Sequence, residues 1–454
     1  MATTHRLPTE SPIEIYLLTS IYMTKFGIIC PPYPGHLNPQ TVLARELQSR
    51  GHRVTFLQIP DLAEKIRSSG VDFHPIGETI YRAGTMAETF ANLGKLSSIE
   101  ALRYSLDFCV QMVEIICQDA PKAIEHLGID ALIVDQLEPV GETVAEAIDL
   151  PYITVSCGQA IHRRADVPPF YTPWMYRDTF PARIRNQSGY YFLDRGCQLL
   201  LQAINSYRHR WNLADYPRIY ASNARNRITQ QPPAFEFPIA NPPENLHYVG
   251  PLRSSSPNPA FFPYEKLTGQ PMIYASLGSV QNTKFPLFQR IAAACKDLDA
   301  QLVIAHGGGM SADEARSLPG TPLVVEYAPQ PDILARASLT ITHGGMNTIL
   351  DSLTYGVPLV AIPITFEQPG NGARVRYLEV GEVFSLNNRS ISKLRSTVQR
   401  VFTEEKYREN ARKIQQSIAR SGGVKQAADI IEKATTGRKS ERSSTIEIPR
   451  SIAP

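Results

Sequence analysis

The chain has 454 residues, 43% hydrophobic and 20% charged, with 46 Lys and Arg against 43 Asp and Glu. That length fits two large domains or three of about 150 residues, and the net charge of +3, with no nucleic-acid-reading motif, excludes DNA or RNA as the expected partner. No apolar run approaches the ~18–20 residues that span a bilayer. Cys30, Cys109, Cys117, Cys157, Cys197 and Cys295 lie scattered, without CxxC or Cys/His spacing. They are expected to be reduced, mostly buried thiols of a cytoplasmic protein that holds no metal.

In chain order, residues 1–22 contain a short apolar stretch broken by Pro12 and Glu14, with a single Arg and no clear cleavage site. They are expected to form a disordered extension rather than a signal peptide, with folded structure from Met23. The pattern predicts a strand over 26–30 and a loop through Pro31-Pro32-Tyr33-Pro34-Gly35-His36. Asn38 then caps a helix with Pro39 at its first position, Leu43 and Leu47 on its inner face and Gly51 at its end. A strand over 54–59 completes a βαβ unit. A further strand over 131–134, a helix over 141–148 and a strand over 152–155 extend it. Pro and aromatic residues crowd 168–180, and a helix follows near 193–211. These elements define an N-terminal domain, 23–235.

A proline-rich linker over 236–265 follows, with a short strand at 249–252 inside it. A second α/β domain, 266–434, has its series of elements open at 272–279, and strands recur near 302–305, 323–325, 339–341 and 358–362. It ends in helices over 391–402, 405–419 and 424–433. Residues 435–454, rich in Ser, Thr, Arg and Lys, are expected to be a disordered tail. The fold class is therefore α/β: two Rossmann-like domains facing a central cleft, outside the C-terminal ends of the strands.

The densest chemistry lies between Tyr327 and Asn371. Thr342-His343-Gly344-Gly345-Met346-Asn347-Thr348 reads as strand end, Gly-rich turn and helix start. A helix N-terminus offers unpaired N–H groups and a partial positive charge, which suits phosphate. His343, Asn347 and Thr348 add donors, and the glycines admit close approach of an anion. Ser276, Gly278 and Ser279 make a second strand-end turn suited to a diphosphate oxygen. Sixteen residues beyond Asp351, Glu367 and Gln368 offer groups for sugar hydroxyls. In the first half, His36 stands at a strand-to-helix turn, where a neutral imidazole can take a proton from a hydroxyl. Asp135 ends a buried strand, where a base-orienting carboxylate would lie.

The ordered set Pro329-Gln330, His343-Gly344-Gly345, Asn347-Thr348, Asp351, Gly356-Val357-Pro358, Pro363, Glu367-Gln368 and Asn371 resembles the donor signature of the UDP-dependent glycosyltransferases of family 1. The resemblance implies the GT-B fold, a UDP-sugar as co-substrate with no cofactor, and metal-independent transfer with inversion. It implies that the Ser276 turn faces the β-phosphate and His343 the α-phosphate. Tyr327-Ala328 would take the place of the Trp-led platform that stacks on uracil. Gln330 would contact ribose, as would Asp351 where many members have Glu. His36 becomes the base and Asp135 its partner.

Within that family, Ile133-Val134-Asp135-Gln136-Leu137-Glu138-Pro139, the 341–348 stretch and Val249-Gly250-Pro251-Leu252-Arg253 are similar to the carotenoid (zeaxanthin) glucosyltransferases. This implies UDP-glucose as donor and a lipophilic hydroxylated acceptor, such as zeaxanthin, with sterols, phenolics and macrolides as other acceptor classes. Phe170, Tyr171 and Trp174, with Tyr176 and Phe180, fit either an acceptor pocket or a packed core. Arg163, Arg164 and Arg177 fit either a peripheral membrane contact or a plain solvated face. Two readings of other classes are a UDP-N-acetylhexosamine epimerase and a non-catalytic lipid binder. Neither calls for the His36 loop together with an intact donor box.

Overall fold

The computed structural model describes residues 23–82, 84–86, 88–89, 98–254, 261–278 and 282–436. Two parallel sheets form its frame. The first holds β1 (Lys25–Ile29), β2 (Arg53–Gln58), β3 (Asp72–Pro75), β4 (Ala131–Asp135), β5 (Tyr152–Ser156), β6 (Arg227–Thr229) and β7 (Leu246–Tyr248), in the order β3-β2-β1-β4-β5-β6-β7. The second holds β8 (Met272–Ser276), β9 (Gln301–Ala305), β10 (Leu323–Val325), β11 (Ala337–Thr342), β12 (Leu359–Ala361) and β13 (Gly381–Val383), in the order β10-β9-β8-β11-β12-β13. The expected two-sheet α/β architecture is present.

Both sheets reverse strand order at their centre, between β1 and β4 and between β8 and β11. Such switch points open a crevice at the C-terminal strand ends. Register sets what lies there. Ile29 pairs with Val134, so the segment after β1 runs beside Asp135. Thr342 pairs with Ser276 and Ala361, so the 276–278 turn and the 342–345 turn are neighbours.

Six helices bear on the site: α1 (Pro34–Ser49), α2 (Phe180–Gly196), α3 (Gln198–Arg210), α4 (Met346–Thr354), α5 (Gln368–Tyr377) and α6 (Gly423–Thr436). Three expectations need correction. Helix α1 starts at Pro34, not at Pro39, so His36 sits in its first turn rather than in a loop. Pro34 suits that position because the first-turn N–H has no helical partner anyway. Pro39 then lies inside the helix and leaves the Gly35 carbonyl without its i+4 donor; Asn347 Nδ2, from α4, donates to it at 2.8 Å. The predicted helix near 193–211 is two helices, α2 and α3, and α2 begins at Phe180. The short strand expected at 249–252 is β7, three residues earlier, on the edge of the first sheet.

The halves also interlock. Helix α6 returns to the first sheet, where Ala427, Ala428 and Ile431 join the core of Phe26, Leu43 and Val54. Phe235 packs in the second half against Met346, Ile349 and Leu350. Thr435 and Thr436, expected in the tail, end α6; residues 1–22 and 437–454 lie outside the described residues.

Candidate active site

His36 is the third residue of α1, with its N–H donating to the Tyr33 carbonyl at 2.9 Å. Its Nδ1 lies 2.8 Å from Asp135 Oδ2. The carboxylate fixes the ring proton on Nδ1, so Nε2 is left as the acceptor. Asp135 is fully buried, and its other oxygen accepts the Leu137 N–H at 2.9 Å. Cys157 lies beside the same carboxylate; burial first, then Asp135, pushes its thiol far up, so it keeps its proton. The donor atoms of His36, Asp135 and Cys157 all lie within 4.8 Å of one another.

Burial opposes charge on His36, but Asp135, by charge and hydrogen bond, and then Glu367 and Glu138 outweigh it and raise the imidazole pKa. The Glu367 contribution matters for placement. It comes from the second half and puts the candidate sugar-binding carboxylate within electrostatic reach of the base. Phe366, just before it, has φ +52, a left-handed backbone that a bulky residue rarely adopts. Such strain recurs at ligand clamps and here fixes how Glu367 enters α5. Gln368 Oε1 accepts the Ile364 and Thr365 N–H groups at 2.8 and 2.9 Å, so its carbonyl end shapes the loop.

Across the cleft, His343 lies between Gly278 and Gly345. A Cβ on Gly278 would sit 2.7 Å from His343 Cε1, and one on Gly345 would sit 2.6 Å from Nε2. Both glycines thus make room for the His343 ring itself. Burial pulls the His343 pKa down to about 4, with the Ser276 backbone working the other way. The ring is neutral at pH 7 and brings one N–H, not a cation. The N-terminus of α4 supplies the N–H groups of Met346, Asn347 and Thr348 beside it. Ser279 lies outside the described residues.

Tyr327 is 59% exposed, so its ring face is open for a base to stack on. Ala328 packs below it against the Tyr274 and Ile333 cluster. Gln330 and Asp351 meet: Gln330 Nε2 donates to Asp351 Oδ2 at 2.6 Å. Arg253 holds the other Asp351 oxygen at 2.5 Å. The Asn347 side chain is likewise committed. Its Oδ1 accepts from Gln230 Nε2 at 2.8 Å and Arg253 Nη2 at 3.1 Å, while its Nδ2 reaches Gly35. Arg253 closes the Val249–Arg253 stretch that carried the resemblance but had no role assigned to it, and Gln230 had no sequence signal. Through Asn347 they tie the N-terminus of α4 to Gly35, just before His36.

Beyond Asp135 in the first half, Glu138 is buried. Burial and then Asp135 push its carboxyl up to about 8 against the pull of His36, so it holds a proton at neutral pH. Burial, then Cys109 and to a lesser degree Glu138, also pushes up the Tyr33 and Tyr220 phenols. Phe170 meets Tyr220 edge-on at 6.0 Å. Tyr171 and Trp174 instead clamp the 160–176 segment to α2. The Tyr171 hydroxyl donates to the Gly189 carbonyl at 2.8 Å, and Trp174 lies against Gly189 under the Arg185 guanidinium. Of the three, Phe170 is the one in ring contact with Tyr220.

The family model described as "UDP-glucoronosyl and UDP-glucosyl transferase" matches residues 33–421. A zeaxanthin glucosyltransferase of Pantoea ananas is 33% identical over 414 residues, covering 90% of this chain and 96% of the relative. One from Pseudescherichia vulneris is 34% identical over 423 residues, covering 92% of this chain and 100% of the relative. Among solved structures, the calicheamicin glycosyltransferase CalG4 superposes with a TM-score of 0.71 at 22% identity, over 92% of this chain and 99% of that one. That likeness bears on the fold alone.

Proposed function

This chain belongs to the UDP-glucoronosyl and UDP-glucosyl transferase family, and we propose that it moves glucose from UDP-glucose, with inversion, to a hydroxyl of a lipophilic acceptor such as the hydroxylated carotenoid zeaxanthin. The observation that carries the chemistry is the 2.8 Å contact between His36 and a buried Asp135, with Glu367 from the opposite half acting on the same imidazole. The acceptor class is supported by the two zeaxanthin glucosyltransferases at 33% and 34% identity.

In this reading His36 Nε2 takes the acceptor's hydroxyl proton as its oxygen attacks the anomeric carbon. The bond from that carbon to the diphosphate oxygen breaks on the opposite face, so an α-linked donor yields a β-glycoside. Asp135 holds the imidazolium that forms. Negative charge building on UDP meets the N–H groups at the N-terminus of α4, beside His343. UDP-glucose acts as a co-substrate, and no step calls for a cofactor or a metal.

Transfer of labelled glucose from UDP-glucose to zeaxanthin, competed against small soluble phenolics in detergent, tests the assignment. Preference for zeaxanthin is expected; preference for a phenolic would overturn the acceptor while leaving glycosyl transfer standing. Donor choice is read separately by thermal unfolding. UDP at about 100 times its Kd should stabilise the protein by about 2.7 kcal/mol. UDP-glucose is expected to outperform GDP- and dTDP-sugars at equal concentration, and equal protection by a GDP-sugar would sink the uridine assignment.

A further inference from the structure

Helix α2 is built inside out. A surface helix normally turns its apolar stripe to the core. Here the buried arc carries Ala182, Asn186, Gly189 and Tyr190, with Asn186 fully buried and donating to the Ala165 carbonyl at 2.9 Å. The outer arc carries Phe180, Ile184 and Tyr191 on one face, continued by Phe192 and by Leu199 on α3. These five side chains are between 51% and 75% exposed. They make up five of the chain's twelve large exposed hydrophobics among the described residues, gathered within 20 positions.

The rim of this face is basic. Of the six arginines in residues 177–210, Arg208 is buried against Glu146; the other five, Arg177, Arg183, Arg185, Arg195 and Arg210, stand against two aspartates, Asp178 and Asp194. Arg177, Arg195 and Arg210 are exposed and have no acidic partner among the described residues. Arg163 and Arg164, expected to contribute, are instead paired with Asp194 and Asp166 at 2.7 and 2.8 Å. Pairing of Asp194 with Arg163 further reduces the negative charge on this face. The inner side of α2 holds the 160–176 segment through Gly189, so the apolar face lies one helix away from the candidate acceptor side.

We infer that the outer face of α2 and α3 is a docking surface for an anionic lipid bilayer. Aromatic and aliphatic side chains ringed by arginines suit the zone between headgroups and acyl chains, where apolar insertion and attraction to anionic lipid add. No described helix is long and apolar enough to cross a membrane, so the contact is peripheral. The inference adds to the lipophilic-acceptor reading a place where such a substrate is met, and it rests on that reading only for its purpose.

Co-sedimentation of the full chain with phosphatidylcholine vesicles, with and without phosphatidylglycerol, tests it in the absence of donor and acceptor. Binding to the anionic vesicles is expected, weakening with salt. Tyr191→Ser/Phe192→Ser and Arg177→Glu/Arg195→Glu should each lower vesicle partitioning by roughly tenfold or more. Both pairs are exposed and outside the candidate active site, so transfer to a detergent-dispersed acceptor should hold. No binding to anionic vesicles, or binding that neither double variant changes, overturns the inference. So does a dimer, seen by sedimentation velocity, that Tyr191→Ser/Phe192→Ser dissolves, because the face would then belong to a second copy. Failure here leaves the acceptor assignment intact, and a phenolic acceptor would leave the vesicle result intact.

Discussion

His36→Ala should lower kcat by about 10²–10⁴-fold, the usual contribution of a positioned general base, with UDP affinity nearly unchanged. In the proposed mechanism the base faces the acceptor, whereas UDP lies at the His343 turn and the α4 N-terminus on the other wall. Asp135→Asn should cost less: an amide oxygen can still accept the Nδ1 proton, but it brings no charge to hold the imidazolium. The pH profile separates these roles. His36 must be neutral to accept a proton, and its surroundings raise its pKa. Activity should therefore fall on the acid side through a value above the ordinary ~6.5 of histidine. Removing the Asp135 charge should shift that acid limb to lower pH. An unshifted limb in Asp135→Asn would detach the carboxylate from the titration, and full turnover in His36→Ala would remove the mechanism.

The parts of this site that were legible in the sequence are those contiguous in it. The strand, glycine turn and helix start around His343 sit within seven residues, and period-two and helical patterning place both sheets. The start of α1 was misread because Pro34 and Pro39 send the same signal, a proline at a first helical position. What satisfies the carbonyl that an interior Pro39 leaves without a helical donor is a hydrogen bond from Asn347 to Gly35 across 312 positions. No local rule can hold that information. Asp351 and Gln330 were singled out for ribose, yet their present partners, Arg253 and each other, come from three separate segments. Glu138 passed as a motif letter because nothing in a sequence tells a buried carboxyl from an exposed one. Helix α2 was lost for the opposite reason. Its apolar residues point outward, so a rule that reads apolar as inward finds no coherent core face.

Arg374→Met should cost about 3–5 kcal/mol of stability, the usual result of stripping one partner from a buried ion pair. Arg374, on α5, is 1% exposed, and its guanidinium bonds to Glu236 Oε1 while lying 4.2 Å over the Phe237 ring. The other oxygen of Glu236 takes His162 Nε2 and Gln231 Nε2, both at 3.0 Å. The cluster thus joins the segment before the acceptor side, the crossing between halves, and the helix that presents Glu367. Burial alone would push the Glu236 carboxyl up, but Arg374 and then His162 outweigh it and bring it to about 2. A carboxylate depressed on folding contributes stability above its unfolded pKa, near 4.3, and loses it as pH falls through the folded value. Wild-type stability from this group is therefore intact at pH 7 and fades only in strong acid. In Arg374→Met the same carboxyl is buried without its main counter-charge, so it favours the protonated form. The stability gap between variant and wild type, read from urea midpoints, should narrow as pH falls from 7 towards 4. Arg374→Met/Glu236→Gln should recover part of the loss at pH 7, because it removes the stranded charge. A gap below about 1 kcal/mol, the range of exposed pairs, or one that stays constant with pH, would show that this cluster does not hold the two halves in the arrangement that brings Glu367 to His36.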